Sequence, residues 1–298
     1  MENGIVFSHF YPFEGVDDRL LPSIFAEFKD NGVENLVFTD KFSTRLLKAP
    51  EFFQRLKAAC HDVGVRLREM HAPFGECYDL ACDSSARRPG LIHDHLTCMR
   101  YAAETGSRTY TIHVGAWDSV YLHKPNELIR PLVLDALERL IPEAEKLDLI
   151  LALENAFERS NAPTEVMYYV NTVKNAHVGC CFDSGHANVM AARPGKTQEQ
   201  YGPHMLHTVW QDHIEFCTGA FELMAPAMVT CHLHDNDGFS DQHRMPGNGT
   251  VDWAELREKL LKHAPRLRSI QSEVGTVACG CSIRALCEKF REIFPESA

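Results

Sequence analysis

No segment of this 298-residue chain approaches the run of roughly 18 apolar residues that a membrane-spanning helix needs, so a helical membrane protein is not expected. The opening stretch, MENGIVFSHFYPFEGVDD, lacks a basic patch followed by a long apolar one. A secretory leader is therefore not expected, and a cytoplasmic location is. Positive charge is scarce: 30 Lys and Arg stand against 41 Asp and Glu, a formal net charge of −11, and no basic run exceeds two residues. Proteins that grip a phosphate backbone ordinarily carry a basic excess or stripe, so nucleic acid is not an expected partner. The eleven cysteines show no small-domain disulfide spacing. Cys279 and Cys281, and the adjacent Cys180 and Cys181, lack a second pair at zinc-finger distance and read as reduced bystander thiols. Glycine-rich turns of the GxGxxG or GxxxxGK[ST] kind are missing, which disfavours an open, doubly wound nucleotide-binding sheet. No linker, low-complexity tract or charge block divides the chain, so residues 1–298 are expected to form a single domain.

What is present is a regular alternation. Apolar or mixed runs that read as strands lie near 4–9, 33–39, 65–71, 108–114, 149–155, 178–183, 229–234 and 268–274. Helical patterns lie between them, near 20–31, 50–63, 90–105, 126–147, 164–175, 205–225, 253–263 and 281–292. Pro131 and Pro142 predict a break or kink in the fourth helical stretch. Gly32, Gly64 and Gly106 each stand where a left-handed residue would close a helix. Asp252 with Glu255 three residues on reads as a helix start. Eight strand–helix repeats in one domain fit a closed (β/α)8 barrel of the TIM type.

Sixteen histidines are many for this length. Nine residues of metal-ligand type stand at or just beyond strand ends: His71, His113, Glu154, Asp183, His186, His232, Asp241, His243 and Glu273. In a (β/α)8 barrel the chemistry sits at the C-terminal ends of the strands. Donors separated by two hundred residues of sequence therefore converge on one mouth. A divalent cation needs several oxygen and nitrogen donors held on rigid elements, and this nitrogen and oxygen set suits Zn, Mn and Co alike.

The stretches MHAPFG (70–75), TIHVG (111–115), LALENA (151–156), FDSGHAN (182–188), CHLHDND (231–237), DQHRMPGNGTVDW (241–253) and SEVG (272–275) resemble the xylose isomerase-like barrel superfamily. That group holds sugar isomerases and epimerases, inositol catabolic enzymes and abasic-site nucleases of the endonuclease IV type. The resemblance covers about residues 4 to 292. It implies that Glu154, Asp183, His232 and Glu273 hold one divalent metal. It further implies that Glu154 and Glu273 flank the reacting carbon and move a proton through an enediolate, on a sugar, sugar phosphate or polyol. Dimers and tetramers are common in such families, so a homo-oligomer is consistent with it.

The other five residues leave alternatives open. His71, His113, His186, Asp241 and His243, added to the four, match the trinuclear zinc set of the nucleases, which would hydrolyse a phosphodiester of abasic DNA. Around a single metal they would contact substrate hydroxyls instead, His186 among them. A lyase or dehydratase step on a ketosugar or inositol derivative is a further alternative. Acidic charge and the loop APFGECYDLACD after His71 favour the sugar reading over DNA repair. Arg244 and Trp117 are candidate substrate contacts, and Gly247-Asn248-Gly249 is either an anion nest or a plain turn. Phe7, His9 and Phe10 either face a sugar or plug the core. Asp235 and Asp237 are candidates to orient His232 or Arg244. His234 is expected to point to the helix side of its strand and is left out of the set. The long stretch 187–228, with His204, His207 and His213, reads as a lid or an oligomer contact.

Overall fold

Eight short strands close on themselves in sequence order: β1 (Val6–His9), β2 (Asn35–Phe38), β3 (Arg66–His71), β4 (Thr109–Ile112), β5 (Ile150–Glu154), β6 (Val178–Asp183), β7 (Met228–Leu233) and β8 (Ser269–Ser272). Every neighbouring pair is parallel and β8 returns to β1, which makes the (β/α)8 barrel read from the sequence. The computed structural model describes residues 4–115, 120–193, 196–197, 200, 209–210 and 214–295. Trp117, His204, His207 and His213 lie outside the described residues.

Among the described residues the helices are α1 (Leu21–Asp30), α2 (Asp40–Lys48), α3 (Phe52–Val63), α4 (Arg88–Thr105), α5 (Asn126–Leu147), α6 (Pro163–Val173), α7 (Ser184–Met190), α8 (Ala220–Met224), α9 (Trp253–His263), α10 (Thr276–Cys279) and α11 (Ile283–Ile293). None is long and apolar enough to cross a membrane. Strands β5 and β6 are buried at every position, because the barrel interior covers one face and helices the other. That is why they read as apolar runs rather than as alternations. Gly64 and Gly106 close α3 and α4 in the left-handed region, at φ 78° and 84°. The Asp252 side chain accepts the Glu255 N–H at 3.0 Å and so starts α9.

Two expectations are corrected. Helix α5 runs unbroken through Pro131 and Pro142. Both prolines lie on the exposed face, where water can satisfy the carbonyls that lose their helical donor. Helices α2, α7 and α10 were not foreseen, because they are short segments inserted directly after strand ends, with little room for a hydrophobic period.

The core between β1, α1 and α11 is aromatic. Phe25, Phe28, Phe290 and Phe294 are almost wholly buried, each contributing about 1.5–3 kcal/mol by its removal from water. Phe7 and His9 belong to this layer: Phe7 meets Phe294 at 5.7 Å, and His9 meets Phe28 and Phe290 edge-on. Phe10 alone of the three reaches the barrel mouth. The barrel below the mouth also holds buried polar groups. Glu69 accepts the backbone N–H of Thr109 at 3.2 Å, and Ser269 and Gln271 each bond Thr230 at 2.7 Å. Burial pushes the Glu69 carboxyl up to about 7 against the hydrogen bonds from Thr109.

Candidate metal centre

Parallel register sets the first ligand pairs side by side. Asp183 on β6 is the direct partner of His232 on β7, and Glu154 on β5 stands beside Cys181. Inward-facing residues alternate along each strand, so Glu154, Asp183 and His232 all project into the mouth. Glu273 follows one residue after β8 and joins them. One donor atom from each of Glu154, Asp183, His232 and Glu273 lies within 4.8 Å of the others. Nδ1 of His232 lies between the two glutamates, 3.0 Å from Glu154 Oε1 and 3.2 Å from Glu273 Oε2.

The outer five converge as well. Nε2 of His71 and Nε2 of His113 approach the second oxygen of Glu154, Oε2, at 3.4 and 3.1 Å. Glu154 therefore joins two groups, one through each oxygen. On the other side Asp241 Oδ2 receives His186 Nε2 at 3.4 Å and His243 Nε2 at 3.1 Å. Three of these imidazoles are locked from behind. Nδ1 of His71, His186 and His243 donates to the carbonyl oxygens of Ala72, Asn155 and Glu273 at 2.8, 2.9 and 2.8 Å. Such a bond fixes the tautomer that leaves Nε2 with a free lone pair, as a metal ligand requires.

His234 is a residue the sequence reading turned the wrong way. Positions two apart along a strand share a face, so His234 follows His232 toward the mouth. It is fully buried, its Nε2 lies 3.1 Å from Asp183 Oδ2, and its ring stacks on His243 at 3.9 Å. It groups with His186, Asp241 and His243 as a candidate donor. Strict period-two reading would have found it. Gly185 makes the arrangement possible, since a Cβ there would stand 2.5 Å from His234 Nε2. The opposite oxygen of Asp183 caps α7 by accepting the His186 N–H at 2.6 Å.

Buried carboxylates and imidazoles shift one another. Burial opposes ionisation of Glu154, yet the charges of His232 and His113 hold its carboxyl well below the ordinary value. Asp241 is held low in the same way by His186 and His243, and Glu273 by His232. His243 is raised to about 10 by Asp241, although its burial pulls the other way. The cluster is thus an anionic trough that gathers protons wherever no other cation neutralises it. Oε2 of Glu273 and Oδ1 of Asp241 are buried and accept no hydrogen bond among the described residues. Imidazole nitrogens stand near them, His232 Nδ1 at 3.2 Å and His234 Nε2 at 3.8 Å. Buried carboxylate oxygens short of hydrogen bonds are costly unless a cation faces them, so the donor set fits divalent metal.

The cavity over this cluster measures about 530 Å3, within the range of small-molecule sites. Phe10, Phe74, Tyr121 and Phe157 supply its apolar wall, and His186 lines it. Phe74 stacks on His113 at 4.9 Å, a contact that no periodicity in the loop after β3 announced. Arg244 does not line the cavity. Its guanidinium donates to the Asn248 carbonyl at 3.2 Å and approaches Asp237 at 4.0 Å, so in this structure it is engaged within its own loop. The Gly247-Asn248-Gly249 segment is a turn and not an anion nest, because the Gly247 N–H is taken by Asp235 at 2.9 Å. Asp235 also accepts from Val251 N–H and Trp253 Nε1, so it anchors this loop rather than His232 or Arg244. Asp237 likewise binds its own loop, accepting from Phe239 N–H and Gln242 Nε2. The PGNG segment serves to hold the loop that carries Asp241 and His243.

Comparison with known proteins bears on the fold that carries this site. An uncharacterized protein of Methanocaldococcus jannaschii is 22% identical over 197 residues, which cover 64% of this chain and 59% of that protein. The chain spans about half the length of the curated relatives it matches. Among solved structures, the apo form of 3-keto-D-glucoside 4-epimerase from E. coli superposes with a TM-score of 0.69 at 13% identity, covering 97% of this chain and 98% of that one. The IOLI protein with a bound zinc atom gives 0.67 at 15% identity, covering 98% of each chain. At these identities the likeness shows the fold. A model described as xylose isomerase-like TIM barrel matches residues 25–267, most of the barrel, and the chain belongs to that family.

Proposed function

We propose that this protein is a divalent-metal-dependent sugar isomerase or epimerase. The observation that carries the reading is the pair of glutamates, Glu154 and Glu273, on either side of His232 Nδ1 at the floor of the cavity. Glu154, Asp183, His232 and Glu273 would hold the ion. When bound, it supplies Lewis-acid stabilisation of the negative charge that develops on substrate oxygens as a proton leaves the neighbouring carbon. The protein's own part is proton movement and exclusion of water. Both carboxyls are held low, so both are ionised at neutral pH and able to accept a proton. A carboxylate on each side of the reacting carbon allows removal from one face and return to the other. Phe10 and Phe157, both half-buried, narrow the approach of bulk solvent. The sugar epimerases among the structural neighbours support this reading.

The test is solvent deuterium incorporation beside the carbonyl of a ketose in the metal-loaded protein. Glu154→Gln and Glu273→Gln should each lower the exchange rate by about 10²–10⁴-fold. Unchanged exchange in either variant refutes the assignment.

A second reading has one observation in its favour: Asp241 joins His186 and His243, and Glu154 joins His71 and His113, as in a polynuclear hydrolytic centre. Elemental analysis of untagged protein separates the two. One ion per chain supports the isomerase, and three ions with cleavage of an abasic duplex support the phosphodiesterase.

A further inference from the structure

The rim of the cavity bears on the charge of its ligand. Besides the metal-type cluster, the wall carries, among the described residues, the carboxylates of Asp40, Glu76, Asp79 and Glu158 and one lysine, Lys41. That lysine is already paired with Asp40 at 3.1 Å. The arginine of the neighbouring loop, Arg244, is held by the Asn248 carbonyl and lies near Asp237. Lys196, on the segment after α7, is turned onto the carbonyls of Val189 and Ala191 at 2.6 and 3.1 Å. The stretches outside the described residues contain neither lysine nor arginine, so none of them brings a permanent cation to the mouth. A phosphate ester is recognised by guanidinium forks, ammonium groups or free backbone N–H groups. The N–H of Gly75, on the cavity wall, is spent on Asp79 at 3.1 Å, and that of Gly247 on Asp235 at 2.9 Å.

The apolar part of the rim is exposed and aromatic. Phe74 and Tyr121 are 47% and 59% exposed while lining the cavity. Aromatic rings at a wet rim offer a flat apolar surface to the C–H face of a sugar, at no electrostatic cost to a neutral ligand. A phosphate dianion in the same place would meet four further carboxylates with one cation already neutralised.

We propose that the mouth takes an uncharged, unphosphorylated sugar, its hydroxyls toward the histidine–carboxylate cluster and its apolar face toward Phe74 and Tyr121. This rests on the isomerase reading for the chemistry but not for the binding, and the two fail separately. The metal-loaded protein is offered matched pairs, a ketohexose and its terminal phosphate ester. Two readouts are taken: deuterium uptake beside the carbonyl, and protection against thermal unfolding. The neutral member of each pair should have a kcat/KM about a hundredfold above its ester, and should protect at lower concentration. Glu76 is exposed and bonds none of the candidate ligands, so Glu76→Lys should narrow the gap about tenfold, an effect that fades in high salt. Preference for the esters in either readout overturns the proposal, as does protection by neither class. Exchange with no sugar, accompanied by protection from the neutral members alone, sinks the isomerase reading and upholds the neutral ligand.

Discussion

Replacing Gly185 by alanine is the sharpest probe of how the centre is held. The added methyl would stand 2.5 Å from His234 Nε2 and closer still to Cε1 and Nδ1 of that ring. Both the ring and the start of α7 are fully enclosed, and Ser184 and His234 are tied together by reciprocal hydrogen bonds at 2.8 and 3.1 Å. The least costly relief is rotation of His234 away from Asp183, which removes the 3.1 Å bond that orients this carboxylate. Loss of an orienting partner behind a metal ligand typically weakens metal binding about 10–100-fold, or about 1.4–2.7 kcal/mol. Overpacking by itself lowers stability by about 1–3 kcal/mol. The two effects separate by comparison with Gly179→Ala, whose methyl would crowd Val229 at 2.7 Å lower in β6. Competition titration with a chelator should show the affinity loss for Gly185→Ala only, while thermal melts of metal-free protein show destabilisation for both. Equal metal affinity in Gly185→Ala and wild type would refute the role given to His234.

Two further outcomes follow from buried histidines. His9 is pushed down to about 4 by burial and by the nearby Arg291 charge, from an ordinary value of 6.5. The unfolded chain therefore takes up a proton that the folded one refuses, and stability is lost as pH falls from about 6.5 toward 4. At pH 5 that loss is about 2 kcal/mol, and His9→Leu should remove it; parallel stability curves for the two proteins from pH 7 to 5 would contradict this. At the mouth, Asp241→Asn weakens the hold on His186 and His243 together. If these three ligate an ion, the variant should bind fewer ions per chain than wild type by elemental analysis, with binding at the Glu154 group retained; an unchanged count assigns them to substrate.

The barrel was legible in the sequence because each β–α unit repeats the same physics. Buried parallel strands must be apolar on both faces, and helices between them must show a 3.6-residue period, so β5 and α5 announce themselves. Short α7 and α10 did not, since they are set by the loop geometry after β6 and β8. Within the site, Asp183, His232 and Glu154 could be read from their positions at strand ends. Phe74 could not, as its stacking on His113 depends on the path of an irregular loop. The partners of Arg244 were hidden for the same reason: its neighbours Pro246 and Gly247 lie in a turn held by Asp235.

By itself the sequence determined that eight strands would close and that their ends would bring carboxylates and imidazoles to one mouth. Topology carries C-terminal strand ends to a common face whatever the loops do. Only the tertiary structure decided which atoms meet there: that Glu154 joins two groups through separate oxygens, that His234 stands behind Asp183, and that Lys41, Lys196 and Arg244 are each engaged by a neighbour. Those facts rest on rotamers and loop paths fixed by packing between segments far apart in the chain, and no local pattern encodes them.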